Sequence, residues 1–406
     1  MRLRRLGVTG VRPRIPFATI PPVPDYDILG IGLTGKSLTP LERHLLQQQS
    51  PYAVVLFGRN VGSAEELREL TREIKAVSKT PPVLMIDEEG GRVDRLRHLI
   101  PGLPSAEAFA EGERPRELSE WFGRVIGQAL RFFDIEIDLA PVVDIRGSSA
   151  PKGLERRTFG TDVKTVVDLA GAFMRGLHSA GTASCLKHFP GIGVGSADPH
   201  YGATVIDIPA DELLRRDLVP FRVLANEAGA VMIGHGTYPQ LDDPDVPATL
   251  SRRLAHDLLR GELRFDGIAV SDDMEMHAVS DLGSYEHIYE SALMAGNDVV
   301  LFCSHIERVR DLQLFMNKRV AEDARVHAQF DIAVARCERY RAHCSRLRNE
   351  SGPPFASFDD LVAEATRFIE VFEQTRPQRE SVVPDEDRRK GPRKPGKGHT
   401  GREEWT

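Results

Sequence analysis

Eight short apolar segments recur along the chain, and amphipathic segments with a helical period separate them. The apolar segments are nearly continuous, which indicates strands buried on both faces, as in a parallel sheet covered by helices. Strand and helix alternate throughout, and this order predicts an α/β fold. The predicted strands are residues 28–32, 53–57, 83–86, 135–140, 182–186, 230–234, 267–270 and 298–302.

Several of the intervening segments carry signals for the start of a helix. Thr39 precedes Pro40, and proline suits the first helical position. Ser63 and Glu66 have the spacing of a capping box. Further N-cap candidates are Asp162, Asp211 and Ser251. Eight strand–helix units in a chain of this length predict a (β/α)8 barrel of the TIM type in a single catalytic domain.

An open, doubly wound sheet that binds a dinucleotide is the rival fold. Residues 30–35 read GIGLTG, a formal match to the GxGxxG turn that follows the first strand of such folds. That fold would also place an acidic residue at the end of the second strand, but residues 57–59 read FGR. The barrel is therefore favoured, and no cofactor is predicted.

Ionisable residues stand at the ends of several predicted strands. Asp87 ends the third strand, Lys187 and His188 the fifth, His235 the sixth and Asp272 the seventh. Catalytic groups of such barrels gather at the C-terminal ends of the strands, so these residues predict one shared site. A carboxylate in this position can act as a nucleophile or stabilise a cationic transition state.

The next residue, Asp273, points to the opposite side from Asp272 and is expected to cap a helix or hold a loop. The glycine-rich segment 189–200 follows the fifth strand and contains Asp198 and His200. A carboxylate two residues from an imidazole can orient it as a general acid and base. An exposed polar turn remains an equally good interpretation of that pair.

A metal site is the alternative interpretation of His188, His200, His235 and Asp272. Metal-dependent barrels need at least three ligands with fixed partners. Here no His-x-His follows the first strand, and Lys187 would place a cation beside the metal. No metal is therefore predicted.

Composition limits the partners and the compartment. The formal net charge of −7 gives no basic field that would recruit nucleic acid. The 4 cysteines form no CxxC pair, residues 1–24 lack the apolar core of a signal peptide, and no segment resembles a membrane span. A cytoplasmic protein without membrane partners is expected. Residues 375–406 are charged and proline-rich, and are expected to form a disordered tail.

Several segments together resemble the bacterial β-N-acetylglucosaminidases of glycoside hydrolase family three. The resemblance extends over about residues 25–350, in the same order along the chain. The matching segments are residues 56–60 (LFGRN), 87–93 (DEEGGRV), 156–160 (RRTFG), 187–191 (KHFPG), 198–200 (DPH), 247–251 (PATLS) and 265–274 (FDGIAVSDDM).

The resemblance implies a retaining mechanism, with Asp272 as the nucleophile and His200, tuned by Asp198, as the acid and base. It implies that the sugar hydroxyls are held by Asp87, Arg95, Arg157, Lys187 and His188. It also implies removal of terminal N-acetylglucosamine from peptidoglycan-derived muropeptides, by a protein expected to be a monomer. The chain departs from the family pattern at Glu88, Ile192, Pro199 and Glu275.

The predicted organisation is an N-terminal extension (1–24), the barrel (25–350), a helical segment (351–374) and the tail (375–406). Because only the short C-terminal part follows the barrel, no second domain is expected to supply the acid and base. Three alternatives use the same fold. They are a phosphorylase with the same catalytic residues, a β-glucosidase of the same family, and a sugar-binding barrel without activity.

Overall fold

The computed structural model describes residues 27–197 and 204–376, in which strands and helices alternate. The strands are β1 (Leu29–Gly32), β2 (Ala53–Leu56), β3 (Val83–Ile86), β4 (Ile137–Asp138), β5 (Ala183–Ser184), β6 (Leu186–Phe189), β7 (Ser196–Ala197), β8 (Thr204–Val205), β9 (Ala230–Ile233), β10 (Ile268–Asp273) and β11 (Val299–Phe302). The helices are α1 (Pro40–Gln48), α2 (Ala64–Val77), α3 (Pro115–Phe132), α4 (Val163–Ala180), α5 (Ala210–Arg215), α6 (Val219–Ala228), α7 (His277–Ser280), α8 (Tyr285–Ala295), α9 (Val309–Glu322), α10 (Ala324–Glu350) and α11 (Phe358–Gln374), with a π-helix at Arg253–Glu262.

Nine of these strands form one sheet in the order β5-β4-β3-β2-β1-β11-β10-β9-β6, and all the pairs are parallel. β5 and β6 are two halves of one strand, separated by Cys185. The first half pairs with β4 and the second with β9, so the sheet is nearly closed. Backbone bonds from Cys185 N to Ala140 O (3.0 Å) and from Lys187 N to Pro141 O (3.2 Å) continue the closure. The predicted α/β barrel of the TIM type is confirmed.

Each of the eight predicted segments contains a strand, but two strands extend further than predicted. The fifth continues to Phe189 and the seventh to Asp273, because both include polar residues that face the end of the barrel. The capping boxes at Thr39 and Ser63 are present.

The other N-cap candidates have mixed outcomes. The N-cap at Asp162 is confirmed. The hydroxyl of Ser251 accepts from the backbone N–H of Leu254 at 3.0 Å, as a cap does. The N-cap prediction for Asp211 is wrong, because α5 begins one residue earlier and Asp211 lies in its first turn.

Alternate strand residues face two separate apolar layers, as the two-residue period of a strand requires. Val55 and Met85 belong to the cluster inside the barrel, whereas Val54 and Leu84 pack between the sheet and the helices. α10 covers the N-terminal end of the barrel, where the hydroxyl of Tyr340 donates to Ser184 O at 2.9 Å. The opposite end of the barrel, where the strands finish, contains an open cavity.

Helices α3 and α4 pack with their backbones in close contact. A Cβ atom added at Gly123 would lie 1.9 Å from Phe173 O, and one at Gly176 would lie 2.0 Å from Glu120 O. α11 packs on α3 from outside, with the rings of Phe368 and Phe122 stacked at 5.7 Å. Within residues 27–197 and 204–376, the helices are all too short or too polar to span a bilayer.

Candidate active site

A cavity of about 430 Å³ opens at the C-terminal ends of the barrel strands. Every predicted site residue within the described ranges lines it, so the structure brings the predicted strand-end residues together. Asp198 and His200, the predicted acid and base pair, lie outside the described residues. The lining includes Asp87, Arg95, Arg157, Lys187, His188, His235 and Asp272.

Five charged side chains form a compact cluster on one side of this cavity. The ammonium of Lys187 lies 2.6 Å from an Asp87 oxygen and 2.5 Å from a Glu89 oxygen. Arg157 holds the same Glu89 carboxylate with two bonds of 2.7 and 2.8 Å. A guanidinium nitrogen of Arg95 lies 4.0 Å from Asp87. Positive and negative groups therefore alternate in the cluster, and their hydrogen bonds fix the positions of the side chains.

Glu89 and Lys187 are both held in their charged forms. Burial raises the pKa of Glu89, but the charges of Lys187 and Arg157 outweigh this effect and hold it well below the ordinary value. Burial likewise opposes the charge of Lys187, yet Asp87 and Glu89 raise its pKa to about 12. The side chain of Lys187 can carry its charge in a nearly inaccessible position because two carboxylates surround it.

Asp272 lies near the end of β10 and lines the same cavity. Its carboxylate accepts from the backbone N–H of Asp273 at 2.9 Å. Burial opposes its ionisation, but the bond from the Asp273 N–H and the Lys187 ammonium help to lower its pKa overall. Asp272 is therefore a carboxylate at neutral pH, as a nucleophile must be.

Asp273 has the structural role that the sequence suggests. Its carboxylate accepts from the backbone N–H groups of Glu275 at 3.2 Å and Cys303 at 3.3 Å. These bonds join the loop after β10 to the end of β11. Burial raises the pKa of Asp273 to about 6.

His235 is held as a neutral imidazole in a defined tautomer. Its Nε2 lies 2.9 Å from the carbonyl oxygen of Asp273, which can only accept, so Nε2 carries the proton. Nδ1 then accepts from the hydroxyl of Thr249 at 2.8 Å. Burial lowers the pKa of His235 despite the nearby Asp272 carboxylate. This network fixes the ring beside Asp272.

Sequence reasoning missed Asp144, a fully buried residue that organises the loop after β6. Its carboxylate accepts from His188 Nδ1 at 2.7 Å and from the backbone N–H of Ile192 at 2.8 Å. One side chain thereby orients an imidazole of the cavity and anchors the glycine-rich loop. A signal for it exists, because the apolar segment after Ile135 continues through Val143 and ends in Asp144.

Glu89 and Glu88 also lacked predicted roles, although they follow Asp87 directly. Alternate residues point in opposite directions, so Asp87 and Glu89 face the cavity while Glu88 turns inward. The Glu88 carboxyl accepts from the backbone N–H groups of Arg95 at 2.7 Å and Leu96 at 3.0 Å. It thus holds the returning part of the loop that carries Arg95. Burial raises its pKa well above the ordinary value.

Within the described ranges, no group of three or more histidine, cysteine, aspartate or glutamate side chains is placed to hold a metal ion. His188 and His235 have partners in the protein, namely Asp144 for the first ring and Thr249 for the second.

Comparison with known proteins gives consistent matches. The Glycosyl hydrolase family 3 N terminal domain matches residues 34–339. A beta-hexosaminidase of Pseudomonas aeruginosa is 38% identical over 277 residues, which are 68% of this chain and 82% of the relative.

Two solved structures share the fold. A glycoside hydrolase family 3 beta-N-acetylglucosaminidase from Paenibacillus superposes with a TM-score of 0.74 at 26% identity, covering 84% of this chain and 67% of that chain. NagZ from Neisseria gonorrhoeae, in complex with N-trifluoroacetyl-D-glucosamine, superposes with a TM-score of 0.65 at 27% identity, covering 84% of this chain and 90% of that chain.

Proposed function

Since the chain belongs to glycosyl hydrolase family 3 and is a glycoside hydrolase of the beta-hexosaminidase type, we propose that it is a retaining exo-β-N-acetylglucosaminidase. Its proposed nucleophile is Asp272. The observation that carries this proposal is an ionised carboxylate facing a charged cluster across a cavity sized for a small ligand. In this proposal Asp87, Arg95, Arg157, Lys187 and His188 hold the hydroxyl groups of the terminal sugar.

His200 is the proposed acid and base, with Asp198 as the carboxylate that tunes it. Both flanks of the segment that contains them are held close to the cavity. β7 and β8 pair antiparallel, with Ser196 opposite Val205 and Ala197 opposite Thr204. Thr204 itself lines the cavity beside Ile192. Thr204, the first described residue after the segment that contains His200, thus lines the same cavity as Asp272, which supports the proposed role of His200.

The proposed reaction has two steps at the anomeric carbon. Asp272 forms a bond to this carbon while the glycosidic bond breaks, and His200 gives its proton to the departing oxygen. The neutral imidazole then takes a proton from water, whose oxygen attacks the anomeric carbon and releases Asp272. Two inversions leave the β configuration unchanged. The proposed substrates are peptidoglycan-derived muropeptides in the cytoplasm, and the protein is proposed to act as a monomer.

Product stereochemistry tests this function directly. The full chain is incubated with an aryl N-acetyl-β-glucosaminide and, separately, with the matching β-glucoside, and NMR follows the anomeric protons. We expect the N-acetylated substrate to be cleaved first to the β-sugar, with mutarotation later. Initial release of the α-sugar would contradict retention, and preference for the glucoside would favour a β-glucosidase. Repeating the assay in phosphate buffer distinguishes a phosphorylase, which would form a sugar 1-phosphate.

Replacement of His200 tests the acid role through the leaving group. For His200→Ala we expect a fall in kcat/KM of about 10²- to 10⁴-fold on unactivated glycosides. The loss should be much smaller on a dinitrophenyl glycoside, whose leaving group needs little protonation. Steady-state kinetics with both substrates measures the difference, and His256→Ala, at a partly exposed position of the π-helix, serves as the control. Equal losses on the two substrates would argue against protonation by His200.

A further inference from the structure

A second cavity, of about 490 Å³, lies behind the loop that follows β3. Arg92, Arg97, Arg156 and Arg376 line it, and Glu373 is the one carboxylate among the described lining residues. The lining thus carries a formal charge of three positive, although the whole chain carries −7. A local positive field in an acidic protein favours an anionic ligand. We call this cavity the arginine pocket.

Two of these guanidinium groups pair with carboxylates that are more than half exposed to water. Arg92 lies 3.9 Å from Glu155, and both side chains are more than half exposed, so water screens the pair. Arg376, two residues beyond the end of α11, lies 3.5 Å from Glu373 in the last turn of that helix. Arg97 donates to two backbone carbonyls of its own loop, at 2.8 and 3.1 Å. These carbonyl bonds hold the guanidinium in place but leave its charge intact.

The remaining wall of the arginine pocket is aliphatic. Leu103, Pro104, Ala108 and Ile369 provide apolar surface between the charged groups. A bare inorganic ion would leave this surface uncovered. A ligand that carries carboxylates on short aliphatic chains would match both parts, because guanidinium binds carboxylate through paired hydrogen bonds. An acidic peptide has this chemistry.

The arginine pocket and the active-site cavity share the same loop. Asp87, Glu89 and Arg95 face the first cavity, whereas Arg92 and Arg97 face the second. Two consecutive arginines after β4 are likewise divided between the two cavities. Arg157 binds Glu89 in the active-site cavity, while Arg156, with a left-handed φ of 64°, lines the arginine pocket.

We propose that the arginine pocket binds the carboxylates of an acidic peptide next to the active site. The peptide can be a free ligand, or it can be attached to the leaving group of the substrate. The second case rests on the proposed function. In both cases carboxylates of the peptide bind guanidinium groups, and binding and kinetic measurements together separate the two.

Binding is measured by calorimetry with N-acetyl-triglutamate amide and, as a neutral probe, N-acetyl-triglutamine amide. The test variant is Arg156→Gln with Arg376→Gln. The matched control is Arg72→Gln with Arg325→Gln, which removes two exposed guanidinium groups elsewhere. We expect the test variant to bind triglutamate about tenfold more weakly, and the control less than about twofold more weakly. Absence of binding, or equal binding to both variants and to triglutamine, would overturn the proposal.

Two substrates separate the sources of the peptide. One N-acetyl-β-glucosaminide has a neutral aryl leaving group, and the other carries triglutamate on the same ring. A KM increase in the test variant for the charged substrate alone assigns the peptide to the leaving group. Equal kinetics together with arginine-dependent binding of triglutamate assigns it to a free ligand. If neither substrate is cleaved but triglutamate still binds, the arginine pocket stands and the proposed function fails.

Discussion

Replacing Asp272 with alanine is expected to lower kcat on an aryl N-acetyl-β-glucosaminide by at least about 10⁴-fold. The reason is that the end of β10 offers no other carboxylate oxygen that could form the bond to the anomeric carbon. Asp273 cannot replace it, because the carboxylate of Asp273 is bound to the backbone of Glu275 and Cys303. Steady-state kinetics measures the loss, and circular dichroism checks that the barrel remains folded.

Azide provides an independent test of the same residue. In Asp272→Ala the anion can enter the vacated space and attack the anomeric carbon from the side where Asp272 lay. A single inversion then gives the α-glycosyl azide, and activity is partly restored. The control is Asp266→Ala, which removes a 78% exposed carboxylate before the same strand and should leave kcat unchanged. Near-normal activity of Asp272→Ala without azide would remove Asp272 from its proposed role.

Replacing Lys187 with methionine is expected to cost both stability and activity. The free energy of unfolding should fall by about 3–5 kcal/mol, because the buried Glu89 carboxylate loses one of its cations. The methionine side chain fills the space of the lysine but carries no charge. Glu89 would keep only Arg157, and Asp87 would keep only the 4.0 Å contact to Arg95. Asp87 would then lose the position from which we propose that it holds a sugar hydroxyl. Urea unfolding gives the stability change, and kcat/KM gives the functional loss.

Lys164→Met is the matched control for that change. Lys164 is 86% exposed and forms a 2.7 Å pair with Asp168 one helical turn away. Because water screens this pair, its removal should not shift the urea midpoint measurably. If Lys187→Met were as stable as this control and fully active, the charged cluster would have neither a structural nor a substrate-binding role.

The fold could be predicted because its signals are local. Each strand contains a short apolar segment. Thr39, Ser63 and Asp162 are the N-caps of α1, α2 and α4. The strand-end rule then identified Asp87 and Asp272 without knowledge of any distance. The fifth and seventh strands were predicted too short because each contains polar residues near its end, Lys187 and His188 in the fifth and Asp272 and Asp273 in the seventh. A pattern of apolar residues cannot include them.

The parts of the site that could not be predicted depend on contacts between distant residues. Asp144 orients His188 across 44 positions of sequence, and Glu89 meets Arg157 across 68. No periodicity connects such residues, since closure of the barrel alone brings them together. Glu88 was missed for a different reason. Its side chain is buried and holds backbone N–H groups, a role that sequence patterns usually assign to an amide or a hydroxyl group.

The alternating cluster around Lys187 also limits which sugars fit the active site. Its two carboxylates, Asp87 and Glu89, are already matched by the cations of Lys187 and Arg157. Arg95, the third cation of the cluster, is balanced by Asp272 in the same cavity, so the described lining holds three cations and three carboxylates. A uronic acid would add a negative charge for which no further cation of this lining would compensate the lost hydration. We therefore expect the cavity to disfavour acidic sugars by electrostatics, so that shape and contacts with an acetamido group would discriminate among neutral ones.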